Sequence, residues 1–478
     1  GLSDMELNLE VIPKSENCRV CVRELRACGL CRVESAGEFT ELSGVKEESN
    51  ENCDNINLYH TSSAHSSNNR RVCNDLTPVE QLGKSIFFDK NLSLKKNQSC
   101  ASCHDPRAGW TGPNPGINKK GAVYPGSIRT EFGARKPPTS SYATPAPVLG
   151  YIVEDGDALF IGGNFWDGRA TGEKLGNPAA DQAQGPFLNP VEQALPDPAC
   201  VVYRVCNANT PSQYPVAFGD VYPGACDINW PSGVDQSCKD GEMVDLDPAD
   251  REKVNESYDY IGLSIAAYEA SAEVNQYTSK YDAFLAGAAE LTAEEQTGLG
   301  VFAGKGQCAA CHVLDPQANG EPPLFTDYTF DNLGVPKNPD NPVYDVDPNF
   351  VDFGLGAFLE SRPEYAAFAD ANKGKQKVPT LRNVDQRPGN GFTKAYAHNG
   401  YFKTLEGIVN FYNTRDVKPA CPDSLTTEAD ALAQNCWPAP EVAENVNTDE
   451  LGDLGLTAAE EAALVAFMKT LSDGYFEP

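Results

Sequence analysis

Two short segments constrain this chain more than anything else in it: QSCASCH at residues 98–104 and GQCAACH at residues 306–312, each a Cys-x-x-Cys followed at once by histidine. Each lies downstream of a matching helix start. LTPVEQ (76–81) and LTAEEQ (291–296) both put threonine where an N-cap belongs and glutamate three residues later, the pattern of a capping box. A Gly- and Phe-containing segment follows in both copies, so the spacing predicts one supersecondary unit used twice. A third start, Thr457 with Glu460, opens EEAALVAFMKTLSD. Its Leu464, Val465, Phe467, Met468 and Leu471 predict an amphipathic helix that closes the second unit. Between the units, Arg251 to about Leu285 reads as one long helix with Ile261, Ile265 and Tyr268 on a single stripe.

Two residues between the thiols match the separation of the vinyl groups of a haem, which the cysteines capture as thioethers. The adjoining imidazole then takes the iron's proximal position. Two covalent c-type haems are therefore expected, one at Cys100 and Cys103 with His104 on iron, the other at Cys308 and Cys311 with His312 on iron. Porphyrins filling the interior would also account for a hydrophobic fraction of only 40% beside 41 Gly and 35 Pro. Further ligands are scarce. The remaining histidines are His60, His65 and His398, and the methionines are Met5, Met243 and Met468. At least one iron is expected to have an unusual sixth ligand or none, and an open position is where small oxidants react.

The balance of 68 acidic against 38 basic residues, a formal charge of −30, opposes phosphate backbones and anionic lipid. Nucleic acid and membrane surfaces are excluded as expected partners, and a basic protein face is favoured. No apolar run is long enough to span a bilayer, and the opening GLSDMELNLE has no cationic and apolar leader, so the chain reads as a mature one. Sixteen cysteines suit an oxidising compartment, periplasmic or extracellular. Four belong to the haem motifs, and the remaining twelve permit six disulfides. Cys18, Cys21, Cys28, Cys31, Cys53 and Cys73 fall in an extension, residues 1–75, that reads as disulfide-stapled or, with its paired CxxC spacing, as a four-thiolate zinc site. The stretch from Cys200 to Cys238 reads as a disulfide-tied loop excursion rather than core, and Cys421 to Cys436 as a second one.

Beyond these motifs, NFWDGRA (164–170), DQAQGPFLNPVE (181–192), VPTLRNV (378–384) and HNG (398–400) resemble the bacterial di-haem cytochrome c peroxidase and MauG superfamily over about residues 76 to 478. The resemblance implies a mainly α, loop-rich fold of two c-type cytochrome domains packed around two covalent haems. Their bounds are 76–275 for the N-terminal, peroxide-reacting domain and 276–478 for the C-terminal, electron-relaying one. It implies Glu192 and Gln182 as the acid/base carboxylate and neighbouring amide of the peroxide pocket, and Trp166 as the tryptophan between the haems. Family members of the MauG type carry tyrosine in a Phe-Tyr-Asn context where the peroxidases carry a methionine ligand, so Phe411-Tyr412-Asn413 implies Tyr412 as sixth ligand of the second haem. No histidine lies between His104 and His312 to cap the first iron, so that iron is expected to be accessible without reductive activation.

Two departures from the pattern stand out. The segment after Trp166 is lengthened by TGEKLGNPAA, and the family's inter-haem calcium-binding asparagine is replaced by Lys136 in GARKPPTS. A lysine ammonium could stand in for the cation's charge, which leaves calcium in doubt and Thr393 as the one matching candidate ligand. The expected activity is reduction of hydrogen peroxide, with electrons from a cytochrome or cupredoxin, or from a protein substrate as in MauG-like enzymes. The alternative is a non-catalytic di-haem electron-transfer cytochrome.

Overall fold

The computed structural model describes residues 76–154, 157–207 and 215–476. The cysteine-rich extension, with its staple and zinc readings, lies outside the described residues. Helices carry the regular structure: α1 (Pro78–Phe88), α2 (Pro178–Leu188), α3 (Pro198–Cys206), α4 (Pro248–Ala270), α5 (Ala293–Ala303), α6 (Leu405–Thr414) and α7 (Ala458–Lys469) organise the two haem sites. The longest pair of strands is a hairpin, β1 (Gly150–Glu154) antiparallel to β2 (Asp157–Ile161).

All three expected capping boxes form. The carboxylate of Glu80 accepts from the Thr77 amide at 2.6 Å, Glu295 from Thr292 at 2.7 Å, and Glu460 from Thr457 at 2.7 Å, while each threonine hydroxyl accepts from the glutamate amide in return. Losing such a cap costs about 1 kcal/mol. The repeat extends into packing. Gly83 of α1 lies so close to α4 that a Cβ would sit 1.8 Å from the Ser264 carbonyl oxygen, and Gly298 of α5 so close to α7 that a Cβ would sit 1.9 Å from that of Ala463. Each glycine stands six residues after its N-cap threonine, and each contacted residue is followed four positions on by an aromatic, Tyr268 or Phe467. Two backbones can approach this closely only where one side chain is absent.

Each crossing seeds an apolar core. The first gathers Leu82, Phe87, Ile261, Ile265 and Tyr268, the second Phe302, Phe325, Phe411, Phe467 and Leu471. Disulfides join Cys200 to Cys238, Cys206 to Cys226 and Cys421 to Cys436. The first of these segments corrects the sequence reading. Rather than an excursion outside the core, it begins with helix α3, and Cys200, Val201, Val202, Val205 and Cys238 are all fully buried in the first core. The Pro, Gly and Asn residues of the rest of the segment obscured the short apolar helix face. The long helix expected from Arg251 to about Leu285 is also two helices. α4 starts earlier, capped by Asp247 with Pro248 behind it, and stops at Ala270. A second helix, Lys280–Leu285, starts on its own Ser279/Asp282 capping box.

Contacts of long sequence separation join the two halves. The Arg135 guanidinium donates to Asp167 at 2.6 Å and, through two nitrogens, to Asp352 at 2.7 Å. Within the C-terminal half, Arg382 of the VPTLRNV segment is 2% exposed and pairs with Asp282 at 2.8 and 3.1 Å, which fixes the course of that segment. No helix among the described residues is long and apolar enough to cross a membrane.

Candidate active site

Both CxxCH motifs begin as single 3-10 turns, Cys100–Ser102 and Cys308–Ala310, and in each the histidine amide donates to the carbonyl of the first cysteine at 2.9 Å. The turn brings two thiols and an imidazole to one wall of a cavity. The thiols remain unpaired, and burial pushes those of Cys103 and Cys308 up to about 12. The His104 Nδ1 lies 3.2 Å from the Trp110 carbonyl oxygen, and the His312 Nδ1 lies 2.8 Å from that of Phe325. A carbonyl can only accept, so Nδ1 carries the hydrogen and Nε2 keeps the lone pair that a metal needs. Burial holds both imidazoles neutral, lowering His104 to about 4 and His312 below its ordinary value. Free thiols at the correct spacing, a neutral imidazole in the ligating tautomer and a surrounding cavity fit a covalent haem at each motif.

The first cavity, of about 460 Å³, is bordered by Cys100, Cys103 and His104 together with Gln182, Glu192 and Trp166. Gln182 projects from α2, which Asn177 caps by accepting from the amides of Ala179 and Ala180. Glu192 follows the helix end, in a turn closed by its amide donating to Asn189 at 2.9 Å. Its carboxyl is raised above the usual range by burial, against the opposing pull of Arg169 and of a hydrogen bond from Asn189. Trp166 is 8% exposed, donates from Nε1 to the Lys136 carbonyl at 2.8 Å, and borders both this cavity and the one around His312.

The second cavity is walled by Cys308, Cys311 and His312 and contains Tyr412 from α6. Burial, reinforced by the two cysteines, raises the Tyr412 phenol well above its ordinary value. Met468 from α7 lines the same cavity. The sequence had assigned that residue to the apolar face of a closing helix, and the methionine is both: buried in the second core and turned to the cavity.

Of the other residues at the sites, Glu269 and Lys394 carried no local signal, whereas His398, Lys136 and Thr393 lie in segments the sequence had marked. Glu269, near the end of α4, is 4% exposed, borders the first cavity and is raised to about 8 by burial. In the string AAYEAS it reads as an ordinary helical glutamate. His398 of the HNG segment is buried beside Trp166, ring centroids 6.5 Å apart, with Nε2 at 3.9 Å from Asp352 and 4.0 Å from Glu441. Two lysines have buried ammonium groups along the second cavity near the Trp166 segment. Lys136 is lowered to about 8 and Lys394 well below the usual lysine value, in both cases first by burial. The Thr393 carbonyl, the candidate calcium ligand, accepts from Asn118 Nδ2 at 3.0 Å.

Comparison with known proteins gives the family. The family model for di-haem cytochrome c peroxidase matches residues 78–290. The methylamine utilization protein MauG of Paracoccus denitrificans is 34% identical over 401 residues, covering 83% of this chain and 89% of that one. The chain belongs to the di-haem cytochrome c peroxidase and MauG family. It is accordingly a di-haem oxidoreductase, a peroxidase with two covalently bound c-type haems. The cytochrome c551 peroxidase of Pseudomonas aeruginosa is 29% identical over about half of each chain, 48% of this one and 49% of that one. Among solved structures, the diheme peroxidase BthA of Burkholderia thailandensis aligns with a TM-score of 0.65 at 27% identity, covering 84% of this chain and 88% of that one.

Proposed function

We propose that this di-haem peroxidase reduces hydrogen peroxide in the cavity of His104, Gln182 and Glu192, and that the second haem, held by His312 and Tyr412, relays the electrons. The observation that carries this reading is the common cavity itself: an amide from within α2 and a carboxyl from the turn that follows it border the same cavity as the first CxxCH turn. Haem, when bound, supplies a redox-active iron able to exchange electrons with peroxide. The chain supplies the proton chemistry. Cleaving the O–O bond to release water requires a proton moved from one peroxide oxygen to the other, and the Glu192 carboxylate can accept it and return it. Gln182 donates and accepts hydrogen bonds without titrating, which suits orientation of the substrate. Trp166, bordering both cavities, is the aromatic through which the two haems would communicate.

Each peroxide needs two electrons and two further protons to yield two waters. A MauG relative at 34% identity and a phenol in the second cavity favour a protein substrate, whose tyrosine or tryptophan side chains would be oxidised, over a soluble redox carrier. The formal charge of −30 favours a partner with a basic docking face. The three disulfides among the described residues and thioether-bound haem suit a periplasmic or extracellular setting.

Electron paramagnetic resonance of the ferric protein, before and after one equivalent of peroxide, tests the reading. The expected result is a high-spin signal from the first haem that disappears together with a low-spin signal from the second. Two low-spin signals indifferent to peroxide would instead identify a pure electron carrier.

A further inference from the structure

The seam between the cavities contains two buried ammonium groups whose partners are carbonyl and hydroxyl oxygens. Lys394, 4% exposed, donates to the carbonyls of Asn383 at 2.7 Å, Ala108 at 2.9 Å and Gln386 at 3.1 Å. Carbonyls only accept, so three of them around one nitrogen require three N–H donors. A neutral amine has two and an ammonium three. The cage therefore specifies the charged form in spite of the burial. Its walls also come from both halves: Ala108 lies four residues after His104, while Asn383 lies within VPTLRNV and Gln386 two residues beyond it.

Lys136 is the second buried lysine of the seam, with two acceptors around its nitrogen rather than three. Its Nζ donates to Thr111 Oγ1 and to the Pro137 carbonyl, both at 3.1 Å. Its backbone ties together the two aromatic residues of the seam, since its amide donates to the His398 carbonyl at 2.7 Å and its carbonyl accepts from Trp166 Nε1 at 2.8 Å. A calcium ion would need six to eight oxygen ligands at about 2.3–2.6 Å. Here the matching carbonyl, that of Thr393, faces an Asn118 N–H at 3.0 Å, and the neighbouring oxygens face N–H groups of the two lysines. These residues do not fit calcium.

We propose that Lys136 and Lys394 supply, from the chain itself, the positive charge that a divalent cation between the haems would supply, so that communication between the haems needs no calcium. The assignment is independent of which substrate donates electrons and of how peroxide is cleaved.

The test uses the holoprotein. Elemental analysis after purification without chelator should find well under one calcium per chain, and excess EGTA should leave both haem resonance signals and their midpoint potentials unchanged. One tightly held calcium, or an EGTA-sensitive low-spin signal, would overturn the proposal. Lys394→Met, similar in length and uncharged, should lower the midpoint potential of the His312 haem in a spectroelectrochemical titration with haem content intact, because a lost positive charge favours the oxidised state. A folded Lys394→Met protein with both potentials unchanged would equally overturn it, and Lys136→Met gives the same readout if the first variant does not fold.

Discussion

The two haem cavities share a frame and differ in their walls. On each side a capped helix carries a glycine at the same offset, crosses a second helix at backbone contact and leads to a CxxCH turn whose imidazole is fixed by a backbone carbonyl. Around His104 the wall is polar, with Gln182, Glu192 and Arg135. Around His312 the side facing Tyr412 and Met468 is aliphatic, with Val409, Leu454 and Leu464, while Lys136, Lys394, Asp331 and Glu450 border the cavity elsewhere. Polar, titratable side chains can exchange protons with a small substrate. Aliphatic side chains around a phenol and a thioether exclude water on that side and tune potential instead. The comparison teaches that the repeat preserves what holds a haem, while the work each haem does is set by what lines its cavity.

The largest expected effect removes the polar wall's proton acceptor. Glu192→Gln keeps the shape and should slow peroxide turnover by about 10²–10⁴-fold in stopped-flow measurements, with haem content and the second haem's spectrum unchanged. Full turnover in that variant would break the contrast between the walls.

Next come the paired glycines, which test the shared frame. Gly83→Ala and Gly298→Ala each force a methyl into a neighbouring backbone carbonyl and should each cost about 1–3 kcal/mol in denaturant unfolding of the holoprotein. Similar losses would sharpen the equivalence of the two crossings. A loss in only one would show that the repeat is one of sequence alone.

A smaller effect follows from the sign of the Glu192 shift. A carboxyl raised above its usual value by burial is ionised, and able to accept a proton, only at correspondingly higher pH. Peroxide turnover should therefore fall along an acid limb placed above the ordinary glutamate range of roughly 4.3. In Glu192→Gln that limb should vanish from the pH profile, whereas a limb that persisted would belong to another group, Glu269 being the next candidate by burial.

What the sequence disclosed follows from the range of the interactions involved. The CxxCH turns and the three capping boxes are made within four residues, so their signals are intact in the string. The closing helix was legible from its periodicity. Burial of Cys200 to Cys238 was not, because its apolar face is one short helix in a segment whose composition resembles a loop. The break after Ala270 was missed although SKYD (279–282) is itself a capping pattern, since the apolar residues on either side suggested continuity. Arg135 to Asp352 and Lys394 to Ala108 join residues more than two hundred positions apart, and nothing local marks either. Glu192, Gln182 and Trp166 were reached through family motifs rather than spacing, and the structure lines one cavity with all three.

The smallest expected effect concerns the second wall, where two side chains with opposite preferences share a cavity. A phenolate oxygen on iron favours ferric and higher states, and a thioether raises the potential. Tyr412 sits on α6, and its carbonyl accepts from the Gly452 amide at 2.6 Å, which braces its backbone. Met468 lies one turn beyond Leu464 on a helix whose neighbouring residues fill the second core, an arrangement that suits apolar packing. If Tyr412 is the ligand, Tyr412→Phe should change the second haem's absorption and low-spin resonance and raise its midpoint potential, with both thioethers retained. Met468→Leu, close in volume, should leave that spectrum as it is. The reverse pattern would make the second site methionine-ligated, like a relay in an ordinary peroxidase, and would remove the main chemical reason for expecting an oxidised protein substrate.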